Sequence, residues 1–317
     1  MERFFSKALK QLLLLVAAGA IIFSAWTLAQ AHFLSVYTQY GQSNERYNLF
    51  LVGSLGALEK SMKSLLPHPQ TALNEVRLYS QEKELSGFVA DLPVSRTKWA
   101  KGFLFEDGEL IKIKFKVRGD NPNNWLHAKK SYRIKRSKKH LKNGVRKFNY
   151  VLPRDPALLN TLLGYEIAEM IGLLHPSAKF VEFYINDVYE GLYIEVEDID
   201  ESFVRNRNRM PVNIYKGTPS RTAKPLYIDN DLFNNPGLWA REAKFNGYEE
   251  RIKRDLETLL STVRQAVEDP RALAKLKKIA PVREWAKFSA YETIMQSWHN
   301  YENNNMFSFN FLKIYGL

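Results

Sequence analysis

Along Ile111–Val117 the side chains alternate. Ile111, Ile113, Phe115 and Val117 are apolar, whereas Lys112, Lys114, Lys116 and then Arg118 are cationic. A period of two puts the apolar set on one face of a strand and the cations on the other. Upstream, Phe103, Leu104, Phe105 and Leu110 flank Asp107-Gly108, a pair that tolerates positive φ and predicts a hairpin. Downstream, Arg118-Gly119 opens a polar loop from Asp120 to Asn124, and Lys129–Lys135 resumes an extended pattern. With strand candidates at Val76–Tyr79, Gly87–Ala90 and Phe148–Leu152, Asn74–Lys147 reads as a β-rich lobe.

The pattern then changes period. Pro153-Arg154-Asp155-Pro156 punctuates the chain, with Asp155 suited to cap a helix and Pro156 to its first position. Leu158, Leu159, Leu162, Leu163, Ile167 and Ile171 give that helix a broad apolar face, and Gly172 ends it. Phe180–Glu197 is a second hairpin, turning at Asn186-Asp187. Beyond Met210 the spacing is helical over Tyr248–Glu268, Ala272–Ala280 and Pro281–Trp298.

The N-terminus stands apart. Arg3, Lys7 and Lys10 precede an apolar run that extends from Leu12 to Ala31. Its length approaches the roughly 20 residues that span a bilayer, and Trp26 suits an interfacial position. Ala29-Gln30-Ala31 also has the form of a signal-peptidase site. The expectation is an uncleaved single-pass anchor in the inner membrane with the bulk of the chain outside the cytoplasm, the alternative being secretion after cleavage at Ala31. Leu51, Leu55, Leu58, Met62 and Leu65 form a narrow helical stripe that Pro67-His68-Pro69 stops. The resulting division is a basic segment 1–11, an anchor or signal 12–31, a helical stalk 32–72, and a domain 73–317 with lobes of about 73–200 and 201–317.

Composition narrows the chemistry. The 317 residues are 45% hydrophobic and 13% aromatic, enough for a well-buried core. A net charge of +12 calls for anionic company, and between Ile111 and Lys147 the sole acid is Asp120. That concentration of one sign suits a nucleoside triphosphate. No recognition helix or RNA-binding motif accompanies it, so specific nucleic-acid recognition is not expected. The absence of cysteine excludes disulfides and thiolate metal sites. No Walker loop, nucleophile elbow or paired-histidine zinc motif occurs.

Several motifs in order resemble the CotH spore-coat kinases, a distant variant of the protein kinases. They are Arg118-Gly119-Asp120, the strand Lys129–Lys135, the hairpin Ile185-Asn186-Asp187-Val188-Tyr189-Glu190-Gly191-Leu192-Tyr193, Glu197-Asp198-Ile199-Asp200, and Tyr215-Lys216-Gly217. The resemblance covers roughly residues 75 to 317. It implies an α+β, kinase-like fold with an antiparallel β-rich lobe followed by a helical lobe. It also implies transfer of the γ-phosphoryl of ATP to a protein or other envelope hydroxyl, with Mg or Mn.

In that picture Arg118 and Lys129 bind the phosphates, and Glu166 either pairs with Lys129 or simply faces solvent. Glu197 sits at the cleft, while Gly191 serves backbone geometry and Tyr189 and Tyr193 belong to the core. Asn305 helps hold the metal. The family's expected aspartate falls at Tyr301, leaving Glu302 as the adjacent carboxylate, and its Trp-Asp-x-Asp element is not reached before Leu317. The same resemblance therefore admits a pseudokinase, a membrane-anchored binding or scaffold module of the envelope.

Overall fold

The computed structural model describes residues 11, 13–24, 71–85, 98–119, 129–153, 159–209, 213–217, 232–242, 253–295 and 306–310. The chain divides into two compact units. The first comprises Met1–His140, Phe148–Leu152 and Phe180–Glu195, and the second Leu141–Lys147, Pro153–Lys179 and Val196–Leu317.

The first unit is built on a closed barrel. Its strands are β1 (Asn74–Tyr79), β2 (Ala100–Glu106), β3 (Glu109–Val117), β4 (Tyr132–Arg136), β5 (Lys147–Val151), β6 (Ala178–Ile185) and β7 (Val188–Glu197), in the order β1-β2-β3-β4-β5-β7-β6. Alternation drives it. Gly102, Leu104, Ile111, Ile113, Phe115, Val117, Tyr132 and Ile134 point inward and are buried. Both expected hairpins form, and in each the two turn residues have positive φ: Asp107 at 52° with Gly108 at 82°, and Asn186 at 47° with Asp187 at 63°. Positive φ at both central positions is the type I′ geometry, whose twist matches that of the flanking strands.

Inside the barrel, Phe183 is an aromatic hub. Its ring centroid lies 4.8 Å from that of Tyr193, 5.0 Å from Tyr150 and 5.8 Å from Tyr132.

Closure departs from the wholly antiparallel expectation. β6 returns beside β1 in parallel, with Val76 opposite Phe183 and Leu78 opposite Ile185. That register keeps all four apolar side chains in the core while removing the last open sheet edge. Gly87–Ala90 lies outside the described residues.

The second unit mixes helix and sheet. Helix α1 is Asn160–Met170, α2 is Glu201–Arg205, α3 is Arg254–Ala266, α4 is Pro270–Ile279 and α5 is Val282–Met295. The part beyond Met210, expected to be helical, also holds a three-stranded sheet of β8 (Asn213–Gly217), β9 (Trp239–Arg241) and β10 (Met306–Asn310), with β8 in the middle. Tyr215 of β8 packs with Leu232, Leu238, Trp239, Leu256 and Leu260 to form its core.

Helix α1 begins at Asn160, later than the Asp155-Pro156 start expected; those two residues lie outside the described set. Its packed face also differs from the leucine stripe. Leu159 and Leu163 are exposed, and the buried positions are Gly164 and Ala168. A Cβ on Gly164 would lie 2.9 Å from the Tyr291 hydroxyl and 3.2 Å from the Met295 methyl of α5. Small residues therefore let the two helices approach closely, and the leucines fall to the side.

Residues 13–24 are helical apart from the rest, with Leu13, Leu14, Ile21 and Ile22 exposed. Among the described residues no helix is long and apolar enough to cross a membrane, so the expected Leu12–Ala31 span has no structural support. The stalk residues 32–70 lie outside the described set.

Candidate functional site

At one mouth of the barrel, the loop joining β3 to β4 is drawn together at its neck. The Arg118 backbone N–H donates to the Ser131 carbonyl at 2.8 Å, and Gly119 follows with φ 104°. Ser131 is fully buried, and its hydroxyl accepts the Leu152 N–H at 3.3 Å. Lys129 leaves this neck and lays its side chain across β7. Its ammonium donates to the Leu192 carbonyl at 2.7 Å and lies 4.6 Å from the centre of the Tyr193 ring. The Tyr193 hydroxyl in turn donates to the Lys130 carbonyl at 2.9 Å, fixing the platform under the lysine.

Gly191 makes this arrangement possible. At φ 99° it occupies a conformation that side chains other than glycine resist, and a Cβ there would come within 3.0 Å of the Lys129 ammonium. The alternation of β7 also breaks at Gly191, so that Glu190 and Tyr193, three residues apart, are both buried. Burial pushes the Tyr132 and Tyr193 hydroxyls well above the ordinary phenol range, helped at Tyr132 by Glu190 and at Tyr193 by Tyr132 and then Glu190, so both are neutral at physiological pH.

Deeper in the barrel Arg136 forms an ion pair with Glu106, each 3% exposed, and Tyr150 donates to Glu195 at 2.9 Å. These buried charges follow from parity: Glu106 continues the inward row Gly102-Leu104 on β2, and Arg136 continues Tyr132-Ile134 on β4.

The remaining expected site residues divide among several places. Arg118 stands at the loop neck with Lys129. Glu166 is exposed on α1 in the second unit. Glu197 is buried, and its carboxylate accepts from Arg207 at 2.9 Å and 3.3 Å, from the Ser177 N–H at 3.2 Å and from the Ser177 hydroxyl at 3.3 Å. Asp120, Glu302 and Asn305 lie outside the described residues.

A constellation the sequence reading passed over is Lys147, whose ammonium lies 2.9 Å from both Asp198 and Asp200. Asp200 also caps α2 by accepting the Ser202 N–H at 2.8 Å. Two acids spaced by two after a long strand, ahead of a helix, were the available signal for that clamp.

The cations at the neck suit phosphate oxygens, with Lys129 already braced by neutral partners and Gly191 clearing space for its ammonium. For a metal the described residues contain no group of three His, Asp or Glu side chains able to hold an ion.

The model of the CotH kinase protein family matches residues 115–310, more than half of the chain. This chain belongs to the CotH family. Over 123 residues it is also 31% identical to a protein named Inner spore coat protein H, from Bacillus subtilis (strain 168), a match covering 38% of this chain. The chain spans about a third, 34%, of that relative's length. The family match includes the Lys129 neck, Gly191 and the Lys147 clamp, so the mouth of the barrel is part of the CotH domain.

Proposed function

We propose that this CotH-family protein is an atypical kinase that transfers the γ-phosphoryl of ATP to a protein hydroxyl in the cell envelope, held at the inner membrane by its N-terminal helix. The observation that carries the reading is the Lys129 ammonium, braced by the Leu192 carbonyl and the Tyr193 ring over Gly191. A cation fixed in place beforehand stabilises charge on a triphosphate without reorganising during the reaction. Arg118 supplies the second cation. Glu302 is the proposed catalytic carboxylate, and Asn305 would hold Mg or Mn, whose chemistry is to neutralise the phosphates.

A pseudokinase is the second reading, favoured by Tyr301 standing where the family has an aspartate. One preparation separates the two. ATP is titrated with and without Mg²⁺ or Mn²⁺, and autophosphorylation is then assayed. Lys129→Ala should weaken ATP binding by about 10- to 100-fold, the worth of one or two charge-assisted hydrogen bonds. Metal-dependent phosphorylation lost in Lys129→Ala supports the kinase. Intact binding with turnover at background supports the pseudokinase. Equal ATP affinity in both proteins would overturn both readings of Lys129.

A further inference from the structure

The outer wall of β2, β3 and β4 is a surface distinct from the barrel mouth. Strand register defines it. Lys101 stands opposite Lys114 and Lys114 opposite Lys135, making one line of ammonium groups across three strands. On the same face Phe103 lies opposite Lys112, Phe105 opposite Leu110, and Lys116 opposite Arg133. These outward positions are all cationic or apolar, and the exposed acids Asp107 and Glu109 stand at the turn end. The apolar members are open, with Phe103 at 41%, Phe105 at 40% and Leu110 at 61% exposure.

In water this arrangement works against the fold. Like charges placed directly opposite across strands are destabilising, and exposed aromatics beside them gain nothing from the solvent. Both penalties are relieved against a partner that is anionic and apolar together.

We infer that the β2–β4 wall docks on an anionic lipid bilayer, with Lys101, Lys112 and Lys114 on lipid phosphates and Phe103, Phe105 and Leu110 in the headgroup–acyl boundary. A second observation in the same unit agrees: residues 13–24 form a helix whose apolar side chains are all exposed. Acidic Asp107 and Glu109 at the β2–β3 turn stay at headgroup level, so the wall lies flat rather than entering tip first.

Other occupants fit less well. An acidic peptide has no use for Leu110 and its phenylalanine neighbours, and the closed barrel offers no edge for strand addition. A single-stranded nucleic acid could stack on Phe103 and Phe105 but offers nothing apolar to Leu110, the most exposed of the three, and Trp99 already has the Lys116 and Lys135 ammonium groups 5.2 Å and 5.7 Å from its centre.

The chain contains no cysteine, so one introduced thiol reports on one place. Full-length Leu110→Cys carrying a polarity-sensitive fluorophore is titrated with vesicles of phosphatidylcholine alone or with 30% phosphatidylglycerol. Val267→Cys in the second unit is the control label. This local readout holds even if the N-terminal helix also enters the bilayer.

The Leu110 label should shift to the blue with anionic vesicles and not with neutral ones, and the Val267 label should not shift. Adding Lys101→Gln, Lys112→Gln and Lys114→Gln should raise the anionic lipid needed by about 100-fold, at about 1 kcal/mol per lysine near the surface. The melting temperature of the triple variant should be equal or higher, which shows that it folds. An equal response to neutral vesicles, or an unchanged titration in the triple variant, overturns the proposal. So does a response confined to added oligonucleotide or polyglutamate, which would assign the wall to a soluble polyanion.

Discussion

Gly191 shows how much one missing methyl group decides. The sequence reading assigned it to backbone geometry, and its φ of 99° agrees. What no local pattern conveys is that Lys129, 62 positions earlier in the chain, lies over it. Gly191→Ala should cost about 1–3 kcal/mol in backbone strain, and the new Cβ should push the ammonium off the Leu192 carbonyl. Gly108→Ala is the matched control, because its φ of 82° is similarly unfavourable but nothing lies within 4 Å of the added atom. Both variants should unfold at lower urea, and only Gly191→Ala should lose ATP affinity. Equal affinity in the two would detach the glycine from the site. Glu197 teaches the complementary point: its place at the end of a long strand was legible, but its four contacts to Arg207 and Ser177 depend on a segment 20 residues earlier and on the turn that follows α2.

At the scale of strands and helices, the sequence located all seven barrel strands to within a few residues, although alternation marks β2, β3 and β4 whereas β6 and β7 each end in five consecutive buried residues. The charged residues inside follow from that parity too, yet a glutamate at a strand end reads as solvated until its partner is known. Arg136→Leu should destabilise the protein by about 3–5 kcal/mol because it leaves Glu106 buried without its counter-charge. Arg136→Leu combined with Glu106→Leu should cost less than the single change, and urea midpoints of the three proteins test this.

The Lys147 clamp predicts an alkaline effect. Burial alone would lower its pKa, but Asp198 and then Asp200 outweigh burial, so the folded value lies above the ordinary 10.5. The clamp therefore contributes fully below that pH, and its contribution is lost as pH rises through the higher folded value. Between pH 9 and about pH 12 the wild type should lose more stability than Lys147→Met, whereas parallel losses would show that the clamp carries no proton linkage.

Over the whole molecule, the sequence conveyed a β-rich part and a helical part, and missed what closes each. The β1–β6 pairing and the β8–β10 sheet join segments far apart in the chain, and periodicity speaks only of neighbours. Phe183 is where the barrel's strands converge, so Phe183→Ala should cost about 3–5 kcal/mol. Its effect should appear across the barrel as one cooperative loss of amide protection rather than as local fraying of β6.

The parallel seam also sets a schedule. Ser80 at the end of β1 exchanges hydrogen bonds with Asn186, 106 residues later. A ribosome or translocon delivers β1 long before its neighbour on that side exists, and the intervening chain includes 153–179, which belongs to the other unit. Until β6 and β7 emerge, β1 waits as an unclosed edge, exposed to chaperones and to mispairing with other chains. No single cut in the polypeptide can separate the two units, because each is stitched through the other in sequence.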